Sequence, residues 1–414
     1  MKGVDILKTI EKRIDSYEND MIELQIALTA IPALAPENGG DGEYEKARFL
    51  TDYLERIGFT DIKRFDAPDD RVSSNCRPNI IVNIPGNDPE RTVWILTHTD
   101  VVPPGELNLW NSDPYEGYVK DGRIYGRGME DNQQDLVASI FAAKTFIDEG
   151  LTPGFSIGLA FVADEETSSA KGLVHLLGLE NSLFKEDDII VVPDFGNEEG
   201  TIIEVAEKSL LWLRFNTIGK QCHASHPSLG KNAFVAASHL VTKLGDLYTI
   251  FNDGDPLYHP PTSTFEPTSK EANVPNINTI PGEDVFHLDC RILPRYTPDE
   301  VISTIRAMAD QVEERFDVSI DITPVQKVQA PAPTDSNAPV VHALRTAIKE
   351  VYGVDASAAG VGGGTVAAHL RKEGYPAAVW SKLEKMAHQP NESCVISNMT
   401  GNAKVFARLF LGKY

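Results

Sequence analysis

Cysteine is scarce in this chain: four in 414 residues (Cys76, Cys222, Cys290, Cys394), widely scattered and with no CxxC pair. That argues against a disulfide framework and fits reduced thiols in a cytoplasmic setting. Positive charge is short as well. Against 61 Asp and Glu stand 38 Lys and Arg, a formal net charge of −23, which speaks against nucleic acid or an anionic membrane surface as a partner. An anionic substrate would therefore need a locally placed Arg, Lys or metal to hold it. No apolar run approaches membrane-spanning length. The opening "MKGVDILKTIEKRIDSYEND" mixes both charge signs at helical spacing and lacks a signal peptide's apolar core. Internal repeats and low-complexity tracts are absent too. The expectation is a soluble cytoplasmic protein.

What is present is longer than one core usually supports, so two domains are expected. In the first third helical and strand patterns alternate. "GEYEKARFLTDYLERIGF" reads as a helix stopped at Gly58, "NIIVNIPG" and "TVWILTH" as short buried strands, and "YVKDGRIYG" as a hairpin around Asp121-Gly122. "DNQQDLVASIFAAKTFIDEG" is a helix, followed by the strands "FSIGLAFVADEE" and "DIIVVPDFG". This rhythm predicts an α/β fold with a mainly parallel sheet and helices on both faces. From about Ser209 the pattern changes to alternating strands and two helices, predicting a four-stranded α+β domain inserted into the first. The expected division is 1–208, the insert 209–325, and 326–414.

Polar residues recur where the strands finish. His98 and Asp100 follow "VWILT", Asp164, Glu165 and Glu166 follow "SIGLAFVA", Asp194 follows "DIIVVP", and Glu130 and Asp131 follow a Gly-Arg-Gly turn. One acidic residue at a strand end is ordinarily a helix cap. Several ends carrying His or carboxylate match the place where α/β folds gather ligands and catalytic groups. Histidine with carboxylates and no cysteine is the ligand set of a hydrolytic zinc, cobalt or manganese centre. Two ions roughly 3.5–4 Å apart need a bridging carboxylate with further ligands on each side. His98, Asp131, Glu166, Asp194 and one more histidine would complete such a site, and His388 in "KMAHQPNES" is the best remaining candidate. A set of structural caps and salt bridges is the rival.

The stretches "THTDVVPPG", "IYGRGMEDN", "ADEE", "VVPDFG", "GKQCHASHPSLGKNA", "NINTIPGEDVFHLDCR", "GVGGGT" and "AHQPNE" occur in this order. In that order the chain resembles the two-zinc aminoacylase, desuccinylase and carboxypeptidase family, which includes succinyl-diaminopimelate desuccinylase and acetylornithine deacetylase. The resemblance implies that the insert is a lid and dimerisation domain and that two divalent ions are bound, zinc by default, with cobalt or manganese tolerated. His98 and Asp194 would serve one ion, Glu166 and His388 the other, and Asp131 would bridge them. Asp100 would orient the ring of His98, Glu165 would act as general base, and His223 would donate to the oxyanion. Arg291 and Asn278 would bind the substrate's terminal carboxylate. Gly363, Gly364 and Thr365, read as opening a helix, would offer donors to an anion.

Local rivals stand beside these roles: His226 for His223, and a salt bridge to Asp289 for Arg291. A thiol nucleophile has little to recommend it, because water held by metal fills that role. Two departures bear on substrate. Many desuccinylase, deacetylase and carboxypeptidase members carry Glu where this chain has Asp194, and Asp is more typical of the aminopeptidase and dipeptidase branches. Gln133 and Gln134 stand where the family often has Lys-Gly. The resulting expectation is a homodimeric amidohydrolase acting on an N-acyl amino acid or a short carboxylate-bearing peptide. A dipeptidase or aminopeptidase, and a non-catalytic relative that binds metal or ligand, are the alternatives.

Overall fold

Residues 93–98, Val-Trp-Ile-Leu-Thr-His, are too apolar for a strand wet on one face, and all six are buried at the end of the strand Asp88–His98. That strand lies parallel between Phe155–Val162 and Ile189–Asn197, and Ala377–Lys382 extends the parallel set. In the computed structural model, which describes residues 3–413, these four strands form the middle of an eight-stranded sheet. Its order is Ile62–Pro68, Cys76–Ile84, Phe155–Val162, Asp88–His98, Ile189–Asn197, Ala377–Lys382, Ile202–Glu207, Ser357–Val361. Ile62–Pro68 and Cys76–Ile84 pair antiparallel with their neighbours, and Ile202–Glu207 pairs antiparallel with Ala377–Lys382.

Both faces of the parallel strands are covered. Gln134–Asp148 and Ile396–Leu411 are buried almost all round and pack on one another. Trp94, Leu96, Ile190 and Val192 pack with Leu173 and Leu176 of the helix Leu173–Leu177 and with Leu370 of Ala367–Lys372. The hairpin forms where expected. Tyr118–Lys120 and Arg123–Tyr125 pair across Asp121 and Gly122, whose φ values of 51° and 75° match the turn type that suits strand twist. Ser393–Val395 adds a third strand to this ribbon, which brings the residues after His388 beside the Gly-Arg-Gly turn.

Two compact units emerge. One holds the chain through Val205, Thr334–Ala358 and the residues from Thr365; the other holds Ala206–Pro333 and Ala359–Gly364. In the second unit an antiparallel sheet runs in the order Thr264–Lys270, Glu283–Ile292, Ser209–Ile218, Ser319–Val328. Leu211, Leu213 and Phe215 face the helices Ala233–Leu244 and Pro298–Phe316, while Trp212 between them is exposed. The longer helix starts at a capping box of Thr297 and Glu300 with Pro298 in the first turn.

The chain passes between units at 205/206 and 333/334, against the 208/209 and 325/326 read from sequence, and 359–364 groups with the second unit. Backbone pairing is the reason: Gly360 N donates to Leu257 O and Lys208 N to Val361 O. Among the described residues no helix is long and apolar enough to cross a membrane.

Candidate metal centre

The carboxyl ends of the four parallel strands deliver the polar residues. His98 is the last residue of its strand and is buried. Its Nε2 lies 3.0 Å from Asp131 Oδ1 and 3.5 Å from Asp194 Oδ1. Its Nδ1 faces the backbone carbonyl of Asp100 at 3.0 Å, and donating there leaves Nε2 as the free nitrogen. The Asp100 carboxylate stands 3.4 Å from Nδ1, while its two oxygens accept the amides of Glu165 (3.1 Å) and Glu166 (3.0 Å). Orientation of the ring therefore falls first to the Asp100 carbonyl. Its carboxylate chiefly anchors the Glu165–Glu166 turn, a division of labour that residue spacing does not reveal.

Asp194 sits within the strand Ile189–Asn197, not after it. The pairing with Ala377–Lys382 jumps from Val192↔Val379 to Gly196↔Ser381, so Pro193–Phe195 bulge and re-aim Asp194. Asp131 follows the turn at Gly128, whose φ of 83° favours glycine. It places Oδ1 toward His98 and Oδ2 3.2 Å from His388 Nε2, which is also 3.0 Å from Glu166 Oε2. Two ligand sets result, His98–Asp131–Asp194 and Asp131–Glu166–His388, with the donor atoms of each lying within 4.8 Å of one another.

These residues fit divalent ions. The donors are imidazole and carboxylate, and Glu166 Oε1 is buried with no hydrogen-bond partner among the described residues. Neither Lys nor Arg pairs with Asp131, Glu166 or Asp194 among the described residues. Burial and neighbouring charges set the proton affinities. Burial pushes His98 down, but Asp100, Asp131 and Asp194 outweigh it and hold it well above the ordinary imidazole value. His388, between Asp131 and Glu166, is raised to about 10, and Glu166, through burial and then Asp131, to about 7. Burial and then Asp194 lift Glu165 well above the carboxylate range, and its carboxylate makes no hydrogen bond among the described residues. Perturbed groups gathered at one strand-end cluster single it out as the candidate functional site.

Two further carboxylates tie the ligand loops together. Glu130 accepts the amides of Glu384 and Met386, and Glu392 accepts those of Gly128, Glu130 and Asp131. Glu130 and Glu392 both lie in stretches singled out in the sequence, but local pattern gives no sign that each reaches across to the other loop. Gln133 bonds Thr29 and the Arg127 carbonyl, and Gln134 bonds Ser381 and the Lys382 carbonyl, so both serve internal packing.

The expected substrate residues lie mainly in the second unit. His223, exposed, pairs with Thr279 across a short ribbon, and its Nδ1 accepts the Ser225 amide at 3.1 Å. The neutral ring therefore keeps its proton on Nε2. Asn278 is exposed and its carbonyl accepts the Ala224 amide. Arg291 makes the rival contact: Nε and Nη2 bond Asp289 at 2.7 and 2.9 Å, and Nη1 bonds Gly362 O at 3.0 Å. The glycine stretch does not open a helix. Gly363 and Gly364 lie in a loop of the second unit that bends at Gly362 and Gly363, and the helix begins at Ala367 in the first, two residues past Thr365. Thr365 itself bonds Glu204. The four cysteines are unpaired thiols, and burial pushes Cys290 and Cys394 up, away from thiolate chemistry.

A parallel sheet with two imidazoles and four carboxylates converging at its strand ends is the frame of a metal-dependent hydrolase of amide and peptide bonds. Residues 94–412 match the model of Peptidase family M20/M25/M40, and the chain belongs to that family, whose metallohydrolases use divalent ions. It is 41% identical over 404 residues to an uncharacterized metallohydrolase of Methanocaldococcus jannaschii, covering 94% of this chain and 98% of that one. With succinyl-diaminopimelate desuccinylase of Acinetobacter baylyi it shares 25% over 404 residues, again 94% and 98%. The solved dipeptidase Dug1p of Saccharomyces cerevisiae has the same fold, with a TM-score of 0.71 at 18% identity over 98% of this chain and 99% of that one.

Proposed function

We propose that the protein is a two-metal amidohydrolase that cleaves an N-acyl amino acid or a short peptide with a free carboxylate. The observation that carries this is the Asp131 carboxylate, which turns one oxygen to each of two ligand sets. His98 and Asp194 would hold one ion, Glu166 and His388 the other, with zinc the default for this donor set. When bound, the ions polarise the scissile carbonyl and lower the pKa of the attacking water.

The chain's own residues do the rest. Glu165, adjacent to a ligand but bonded to none of them, takes the proton from the attacking water and passes it to the leaving nitrogen. Its backbone is held by Asp100, so base and ligand move as one turn. His223 offers the Nε2 proton that an oxyanion needs. Arg291, held by Asp289 and Gly362, keeps one N–H on each terminal nitrogen for a planar carboxylate. The desuccinylase relative supports the deacylase reading. Asp194 favours a dipeptidase as the second, and a homodimer built through the inserted unit accompanies either.

The test is amine release by zinc- and cobalt-loaded protein from N-succinyl and N-acetyl amino acids, set against free-amine dipeptides. Glu165→Gln is expected to lower kcat by about 10²–10⁴-fold with metal content unchanged. Full activity in that variant, or turnover of no amide at all, would sink the proposal. Turnover of dipeptides alone would select the second reading.

A further inference from the structure

The Asp131 loop and the His388 loop hold one another through two buried acids that reach in opposite directions. Glu392, four residues beyond His388, accepts the amides of Gly128, Glu130 and Asp131 at 3.0, 2.9 and 3.0 Å. It also pairs with Arg127 Nη1 at 2.6 Å. Glu130, next to Asp131, gives Oε2 to the amide of Glu384 at 2.7 Å and Oε1 to that of Met386. Both acids are almost wholly buried, Glu392 at 0% and Glu130 at 3% exposure. Unlike Glu392, Glu130 has no Lys or Arg partner among the described residues, and backbone amides alone answer its carboxylate.

The two struts are not equivalent. Glu392 fixes the backbone of Asp131, which both ligand sets share. Glu130 fixes residues 384–386, which lead only to His388, and His388 belongs to one set. His388 has a φ of 62°, and Lys385 within the clasped turn has a φ of 60°. Such values are uncommon for residues other than glycine and persist where surrounding bonds impose them. We infer that Glu130 is a positioning residue that sets the affinity of the Asp131–Glu166–His388 ion selectively, by clasping the backbone that carries His388. This rests on the two-ion reading given above. A carboxylate is required because both oxygens accept; glutamine would turn its amide group against a backbone N–H.

Calorimetric titration of chelator-stripped protein with zinc tests the inference, with metal content after dialysis as a second readout and far-UV circular dichroism as a check on folding. Wild type is expected to take up two equivalents. Glu130→Gln is expected to bind one equivalent with wild-type affinity and the other about tenfold more weakly, and Glu130→Ala about a hundredfold more weakly. Activity should return at saturating zinc, because no group on the reacting atoms is lost. Equal weakening of both equivalents, or of neither, in a folded variant overturns the clasp. A wild type that takes up one equivalent overturns the two-ion reading instead, so the two failures are distinguishable. On the unmutated, metal-free protein the amides of Glu384 and Met386 are expected to be protected from hydrogen exchange, and rapid exchange at both overturns the inference without any variant.

Discussion

Two groups of carboxylates, one buried and one half-buried, lie in the same unit and are completed in opposite ways. In the first, Glu43, Asp69 and Asp164 surround Arg77, whose side chain is wholly buried and forms a two-pronged pair with Glu43. In the second, Asp131, Glu166 and Asp194 have imidazoles rather than Lys or Arg beside them, Asn132 also donates to Asp194, and the Glu165 carboxylate has no hydrogen-bonded partner among the described residues. The boundary falls between neighbours in sequence: Asp164 belongs to the closed group and Glu165 to the open one. In the first group the chain brings its own cation. In the second group no Lys or Arg does so among the described residues, and burial with neighbouring acids raises the proton affinity of Glu165 and Glu166.

The closed group should break most dramatically. Arg77→Met leaves Glu43 buried without its cation and Asp164 without its nearest one, while Asp69 keeps Arg71, and an unfolding free energy lower by about 3–5 kcal/mol is expected from urea denaturation. A loss within experimental error would mean that the Arg77 group is no better completed than the open one.

Stripping metal probes the open group through pH. Glu166 is raised from 4.5 to about 7 and His388 from 6.5 to about 10. Raised folded-state values favour the protonated folded protein. Their contribution is therefore complete below about pH 4.5 and pH 6.5 respectively, and fades as pH climbs through 7 and toward 10. The chelated protein should melt several degrees lower at pH 9 than at pH 6, and zinc should largely abolish that slope. A pH-independent melting temperature in the chelated protein would remove the electrostatic contrast.

The smallest effect has the opposite sign. Glu166→Gln removes a charge that burial disfavours, so the metal-free variant should be more stable than wild type at pH 8, by about 1 kcal/mol, while zinc uptake falls. Destabilisation there would show Glu166 to be structural, like Glu43.

Much of this was legible locally. Alternation of apolar strands with helices gives the parallel sheet, because a strand buried on both faces cannot carry polar residues until it ends. Hence His98 and Asp164 mark strand ends in the linear text, while Asp194 falls at a bulge within its strand. Asp121-Gly122 marks the hairpin, because its turn needs positive φ at both positions. Family resemblance supplied roles that spacing alone left open. Local pattern could not show that Arg291 is engaged by Asp289 and Gly362, that 359–364 pairs with Leu257 and Lys208, or that the glycine stretch ends before a helix begins.

The sequence by itself determined which residue types arrive at the carboxyl ends of which strands, since periodicity and burial are properties of short segments. Only the tertiary structure decided that Asp131 faces both His98 and His388, 33 and 257 residues away. Likewise, only there do Glu130 and Glu392 cross between loops, and only there does Arg77 close one acidic group while the next stays open. Those are distances between remote segments, fixed by the packing of strands against one another, and no local pattern encodes them.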